Sequence, residues 1–283
     1  MRSLLCVLAA ALAVGAPLAA QRVEKDVAYA SASPAQRLDL YLPDASGEAL
    51  RPAIVFVHGG GWKGGDKGGG AWASLAREYS RAGYVAVSVN YRLLQEAPFP
   101  AQIADVKASV RWLRAHAAQY RIDPERIGAA GNSAGAHLVA LLGLTADAPE
   151  LEGDGPHRDL SSAVQAVCAA ATPTDLEHWP GGPGPNARAL LPGPPESLLE
   201  RARRASPIAY VRRDAPPYLL IQGSADPTVP PSQSEAFFTA LRAAGAPDVH
   251  LMLFAGADHG VLGAEKLLTH PAMRSFFDHA LRR

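Results

Sequence analysis

The stretch Gly131-Asn132-Ser133-Ala134-Gly135 lies between two apolar segments of different character. Before it, residues 126–130 read as a short strand that follows the turn Asp123-Pro124. After it, Ala134, Ala136, Leu138, Val139, Leu141 and Leu142 are apolar on nearly every side, the pattern of a helix buried beneath a sheet. A strand that becomes a helix within one or two residues forces the residue at the bend into a strained conformation, and glycines on both sides let the two backbones pass closely. The bend pushes the serine hydroxyl outward, so Ser133 is expected to be a nucleophile. Taken alone, the pentapeptide reads equally as a tight packing turn with a solvated serine, and the rest of the chain must decide.

Working outward, residues 54–57, 84–89, 127–130, 164–170, 218–221 and 251–254 are continuous apolar runs without alternation, as expected of strands covered on both faces. Helix-length segments separate them: 71–81, 101–120, 133–144, 231–244 and 265–281. Strands alternating with helices predict an α/β fold, a mostly parallel doubly wound sheet of about eight strands. Residues 23–30 and 37–42 alternate apolar and polar, which suggests an antiparallel hairpin at the sheet edge. Ile103, Val106, Val110, Leu113 and Ala117 recur at three-and-four spacing, so 101–120 is expected to be an amphipathic surface helix. Between Pro173 and Pro195 seven prolines and four glycines interrupt regular structure. An irregular insertion near residues 174–205 is therefore expected, either as a solvated loop or as a lid in which His178 and Trp179 face a substrate.

The strand at residues 54–57 runs into His58-Gly59-Gly60-Gly61-Trp62. Three consecutive glycines let backbone N–H groups converge on one space, which suits a negatively charged tetrahedral intermediate. A phosphate cradle is the rival, since Gly59, Gly61 and Gly64 fit G-x-G-x-x-G. No helix opens there at once, however, the strand ending at Asn90 lacks an acid for a ribose, and no Gly-Lys-Ser/Thr follows.

A nucleophilic serine needs a base, and the base an orienting acid. Of the nine histidines, His259 lies just beyond the last strand in Gly256-Ala257-Asp258-His259-Gly260, with Gly260 expected to permit a close backbone approach. The other eight read as ordinary polar residues or, for His58 and His137, as parts of the glycine turn and of the helix after Ser133. Asp226, at the C-terminal end of the strand at 218–221, is the leading acid. Asp258 ranks second, because sequence neighbours rarely aim at one another. In a parallel sheet the C-terminal strand ends share one edge, so Ser133, Asp226, His259 and the glycine turn are expected to converge.

The order Ser, Asp, His, together with HGGGW and GNSAG, resembles the α/β-hydrolases, and within them the HGGG-type serine esterases: feruloyl-esterase-like and acetyl-esterase-like proteins related to hormone-sensitive-lipase-like enzymes. The resemblance runs from about residue 23 to the end. It implies an α/β-hydrolase fold in which Ser133 attacks, His259 is general base and then acid, Asp226 orients it, and Gly60, Gly61 and Ala134 supply oxyanion N–H groups. Trp62, His178 and Trp179 are candidate substrate-binding residues. The chain departs from the hormone-sensitive-lipase type in having strands at 23–42 where a helical cap would stand. It also has Ala136 where many feruloyl-esterase-like relatives have a further glycine.

Composition bounds the partners. The 283 residues carry 27 Lys+Arg against 27 Asp+Glu, so no charge excess favours nucleic acid or an anionic membrane surface. Residues 1–20 read as a secretory signal peptide, with Arg2, an apolar run over residues 4–14 and Ala19-Ala20 before a cut at Gln21, leaving 21–283 as a single catalytic domain. Cleavage would leave Cys168 without a partner, in an apolar run that suits a buried structural thiol. The expectation is a secreted or periplasmic esterase that uses no metal or other cofactor and acts on small-molecule or carbohydrate esters, acetylated or feruloylated plant polysaccharide among them. A peptidase or amidase on the same fold, or a catalytically silent binding protein, are the alternatives.

Overall fold

A computed structural model describes residues 22–44 and 48–282; the expected signal peptide lies outside them. Eight strands build one sheet: β1 (Arg22–Ala28), β2 (Arg37–Leu42), β3 (Arg51–Val57), β4 (Val85–Val89), β5 (Ile122–Asn132), β6 (Ala166–Ala170), β7 (Tyr218–Gly223) and β8 (Val249–Phe254). Their order is β1-β2-β4-β3-β5-β6-β7-β8. β1 and β2 pair antiparallel, β2 joins β4 antiparallel, and every later pairing is parallel. The hairpin stands at one edge as expected, but only β1 is exposed along it. From Leu38 to Leu42 every residue of β2 is buried, Asp39 included, because Lys67 Nζ reaches its carboxylate at 3.0 Å.

The helices are α1 (Gly70–Arg81), α2 (Ala101–Ala115), α3 (Ala117–Tyr120), α4 (Ala134–Leu144), α5 (Pro185–Leu190), α6 (Leu198–Arg204), α7 (Pro231–Ala243), α8 (Val261–Ala264) and α9 (Lys266–Leu281). Alternate side chains of each strand feed opposite layers, as the two-residue period of a strand requires. Val55, Val57, Ala129, Val167 and Leu220 pack with Ile103 and Val106 of α2, Leu138 and Leu142 of α4, and Phe237 of α7. Ile54, Phe56, Ala130, Cys168 and Ile221 pack on the other side with Leu75 and Tyr79 of α1, Val261 of α8 and Phe277 of α9. Cys168 is the buried free thiol expected, and burial pushes its pKa up.

Two expectations change. The segment 101–120 is not a surface helix: every residue from Gln102 to Leu113 is buried, and the helix breaks at His116. Its polar side is covered by partners remote in sequence. Gln36 Nε2 donates to Asp105 Oδ1 at 2.7 Å, Arg92 pairs with the same carboxylate, and Glu152 bonds both Lys107 and Arg111. A buried charge is tolerated only when paired and hydrogen-bonded, and these are. The insertion is less irregular than its prolines suggest. Pro185 opens α5 at its first turn, where a missing N–H costs nothing, and α6 follows within it.

Candidate active site

Ser133 stands at the junction of β5 and α4 with φ 52° and ψ −123°, a region that non-glycine residues rarely occupy. The bend is over-determined by its neighbours. A Cβ on Gly135 would lie 2.1 Å from the Val57 carbonyl oxygen, and one on Gly131 would lie 2.5 Å from the Gly135 carbonyl carbon. Both positions therefore exclude any side chain. The Ser133 N–H donates to the Ala170 carbonyl at 2.8 Å, and the Ser133 carbonyl accepts the His137 N–H at 3.0 Å. The nucleophile candidate is thus fixed by β6 in front and α4 behind.

His259 follows β8, and Asp226 follows β7. The His259 Nδ1 lies 2.8 Å from Asp226 Oδ2. With a carboxylate as acceptor the proton sits on Nδ1, which leaves Nε2 as the basic nitrogen. The Asp226 carboxylate is fully buried and satisfied: Oδ1 accepts the N–H groups of Thr228 and Val229 at 2.8 and 2.9 Å, and Oδ2 also accepts Gln222 Nε2 at 3.3 Å. Asp258, the second candidate acid, turns the other way and accepts the Gly260 N–H at 2.8 Å. The close approach expected of Gly260 belongs instead to Gly223, where a Cβ would meet the Ala257 and Asp258 carbonyl oxygens at 2.4 and 2.5 Å. Gly260 has an ordinary φ of −81°.

The glycine turn leaves β3 beside the β5–α4 junction, where a Cβ on Gly59 would lie 2.9 Å from the Asn132 carbonyl oxygen. Gly60 and Gly61 have φ of 116° and 60°, and Trp62 follows at 59°. The Gly60 carbonyl accepts the N–H groups of Lys63 and Gly64 at 3.2 and 3.1 Å, which closes the turn. His58 anchors its base: the ring stacks on Tyr91 at 4.5 Å, Nδ1 meets the Gly59 carbonyl at 2.8 Å, and Tyr91 donates its hydroxyl to the His58 carbonyl at 3.0 Å. Burial holds the His58 pKa below its ordinary value. Among the described residues, none accepts a hydrogen bond from the N–H of Gly61 or Ala134. Both residues face the cavity beside Ser133.

That cavity measures about 390 Å³ and is walled mainly by apolar groups. Ser133, Trp62 and Lys63 meet Pro173, Leu176, Trp179 and Asn186 of the insertion, and Thr228 and Val229 of the Asp226 loop close it. The insertion is therefore a wall of the site and not a detached loop. Trp62 and Trp179 line the cavity, but His178 does not: its side chain is 74% exposed and pairs with Asp175 at 3.0 Å. His178 lies in a turn, and its N–H and ring are both held by the Asp175 carboxylate, which keeps its side chain away from the cavity.

Sequence reasoning missed His137. It is wholly buried, its Nε2 lies 2.7 Å from the Ala205 carbonyl, and its Nδ1 lies 3.2 Å from Trp62 Nε1. The carbonyl requires a proton on Nε2 and the indole N–H requires a lone pair on Nδ1, so the ring is neutral. Burial pushes its pKa down to about 4. The signal was available: a single polar side chain in a wholly apolar helix must find buried partners. Among the described residues, no cluster of three or more His, Cys, Asp or Glu is placed to hold a metal, and no helix is long and apolar enough to cross a membrane.

With this geometry in place, comparison with known proteins gives consistent likenesses. The BD-FAE family model matches residues 38–241. Esterase LipQ of Mycobacterium tuberculosis is 34% identical over 83% of this chain and 56% of its own length, and Esterase LipC of the same organism is 33% identical over 80% and 57%. The chain thus spans just over half the length of these curated relatives. Among solved structures, a truncated carbohydrate esterase from gut microbiota superposes with a TM-score of 0.83 at 32% identity, covering 93% of this chain and 97% of that one. Esterase 2 of Thermogutta terrifontis with bound butyrate gives 0.74 at 28% identity, with 92% of each chain covered.

Proposed function

We propose, from the premise that the chain belongs to the BD-FAE family, that it is a serine-type carboxylic ester hydrolase working through Ser133, His259 and Asp226. The observation that carries the reading is the strained Ser133 facing an apolar cavity whose far wall, Thr228 and Val229, is the loop that binds the Asp226 carboxylate. Ser133 Oγ attacks the acyl carbon while His259 Nε2 takes its proton. The N–H groups of Gly60, Gly61 and Ala134 stabilise the oxyanion, each worth about 3 kcal/mol by the general behaviour of such donors. Collapse expels the alcohol with the proton from His259, and water then repeats the sequence on the acyl-enzyme.

The substrate is a small-molecule or carbohydrate-linked ester. The structural likeness to a carbohydrate esterase and to a butyrate-bound esterase supports this, as does a cavity large enough for a short acyl chain or a single aromatic ring. Export to a secreted or periplasmic location is supported by the apolar run over residues 4–14. The test is a p-nitrophenyl acyl series set against aminoacyl anilides, with acetylated xylan and feruloyl esters alongside, and fluorophosphonate labelling of native protein and Ser133→Ala. Turnover of the esters and labelling lost in Ser133→Ala support the reading. Faster cleavage of anilides, or labelling that survives the substitution, would overturn it.

A further inference from the structure

His137 sits one helical turn beyond Ser133, at a position where an apolar side chain would fill the same space. Every other residue of α4 is apolar and buried. A ring nitrogen left unpaired there would forfeit its hydration with no compensating bond. Both nitrogens are used, on two segments far apart in sequence.

One partner is Trp62, whose indole N–H donates to Nδ1 and whose ring meets the imidazole edge-on with centroids 5.1 Å apart. The other is the Ala205 carbonyl at the end of α6. Ser206, the next residue, accepts the Leu176 N–H on its hydroxyl at 2.8 Å, and Leu176 is cavity wall. Trp62 itself stands at φ 59°, a conformation that is strained for a bulky residue and persists only where its surroundings impose it. The turn bonds from Lys63 and Gly64 to the Gly60 carbonyl, the Leu94 N–H on the Trp62 carbonyl at 2.8 Å and the indole bond to His137 together surround it. A Trp62 free to relax would no longer fix the Gly61 amide immediately before it.

We propose that His137 is a positioning residue for ester cleavage, which by bonding Trp62 and Ala205 together holds the oxyanion turn in register with the cavity wall supplied by the insertion. The inference rests on the esterase reading of Ser133. It assigns His137 no proton transfer and no contact with substrate.

Trp62→Phe keeps an aromatic ring and removes the donor to His137 together with part of the indole's volume. His137→Asn keeps an acceptor near the Nδ1 position and loses the bond to Ala205, whereas His137→Leu loses both. Each variant is compared with native protein for kcat and KM on p-nitrophenyl butyrate and for affinity toward a trifluoromethyl ketone, which mimics the tetrahedral adduct. A mispositioned donor predicts kcat lower by about tenfold or more, below the 10²–10³-fold of outright removal. KM should stay within about twofold, and the ketone should weaken by the same factor as kcat. His137→Asn should retain more of kcat than His137→Leu. A folded Trp62→Phe with native kcat, or one in which KM alone rises, overturns the inference, and so does a His137→Asn no better than His137→Leu. Native protein that neither hydrolyses esters nor reacts with a fluorophosphonate sinks the esterase reading instead, so the two failures are distinct.

Discussion

His259 Nδ1 and Asp226 Oδ2, 33 residues apart in sequence, lie 2.8 Å apart at the rim where β7 and β8 end. The carboxylate that meets the ring is already held by two backbone N–H groups, so its second oxygen has a fixed direction. Asp226→Asn would present an amide in its place and favour the wrong imidazole tautomer. Activity on p-nitrophenyl esters should fall by about three to four orders of magnitude, as in other triads. Thermal unfolding should move much less. A loss below tenfold would remove Asp226 from the proposed machinery.

Ser133 should separate activity from stability. Its φ of 52° and ψ of −123° suit glycine and strain any other residue, at a cost of about 1–3 kcal/mol. Ser133→Ala and Ser133→Gly should both abolish turnover, and the glycine variant should have the higher Tm of the two. Equal melting temperatures would mean that the bend relaxes without cost.

The close packing of β3 against the start of α4 makes a sharper stability test. A methyl group on Gly135 would stand 2.1 Å from the Val57 carbonyl oxygen, a backbone atom that cannot swing aside. Gly135→Ala should lower stability by about 3 kcal/mol or more, or prevent folding. Gly263, in α8 with nothing within 4 Å of an added Cβ, is the control. Gly263→Ala should be neutral or stabilising by up to about 1 kcal/mol. Chemical denaturation of the two variants checks both.

The depressed pKa of His137 makes stability depend on pH. In the unfolded chain a histidine titrates near 6.5, and in the folded protein burial lowers this one to about 4. Between those values the unfolded chain binds the extra proton, so falling pH favours unfolding. The contribution is absent above roughly pH 6.5 and reaches about 3 kcal/mol near pH 4, at about 1.4 kcal/mol per pH unit. His58, also lowered by burial, acts in the same direction. Unfolding free energy measured from pH 7 to pH 4 should fall more steeply in native protein than in His137→Asn. Parallel slopes would show that the ring carries no such linkage.

His178 and Trp179 test the cavity wall. His178→Ala removes an exposed ring bonded to Asp175 and should leave kcat/KM within about twofold, whereas Trp179→Ala opens the apolar wall and should raise KM. An inverse result in a substrate series would place the wall elsewhere.

Much of this arrangement could be read from the chain. Continuous apolar runs such as residues 54–57 and 218–221 marked the covered strands, and the topological rule for strand ends brought Ser133, Asp226 and His259 to one rim. What periodicity could not show was pairing over distance. The polar residues of α2 read as a solvated face because Gln36, Arg92 and Glu152, which cover them, lie far away in sequence. Prolines mark helix starts as well as helix ends, so α5 and α6 were hidden in the insertion. Gly223 and His137 escaped for a related reason. Their roles depend on what crosses beside them, at Ala257 and Ala205, and neither crossing leaves a local mark.

Helix α4 has no solvent-facing side: each of its eleven residues, Ala134 to Leu144, is buried. The serine it carries is therefore mounted on a strut clamped around its whole circumference, and its placement cannot be retuned by substitutions along that strut without disturbing the core layer packed around it. Room for change lies instead in the parts that surround the opening, so under the proposed esterase function a preference for one acyl group or another is expected to follow residues such as Leu176, Trp179 and Asn186, which line the cavity without belonging to the strut.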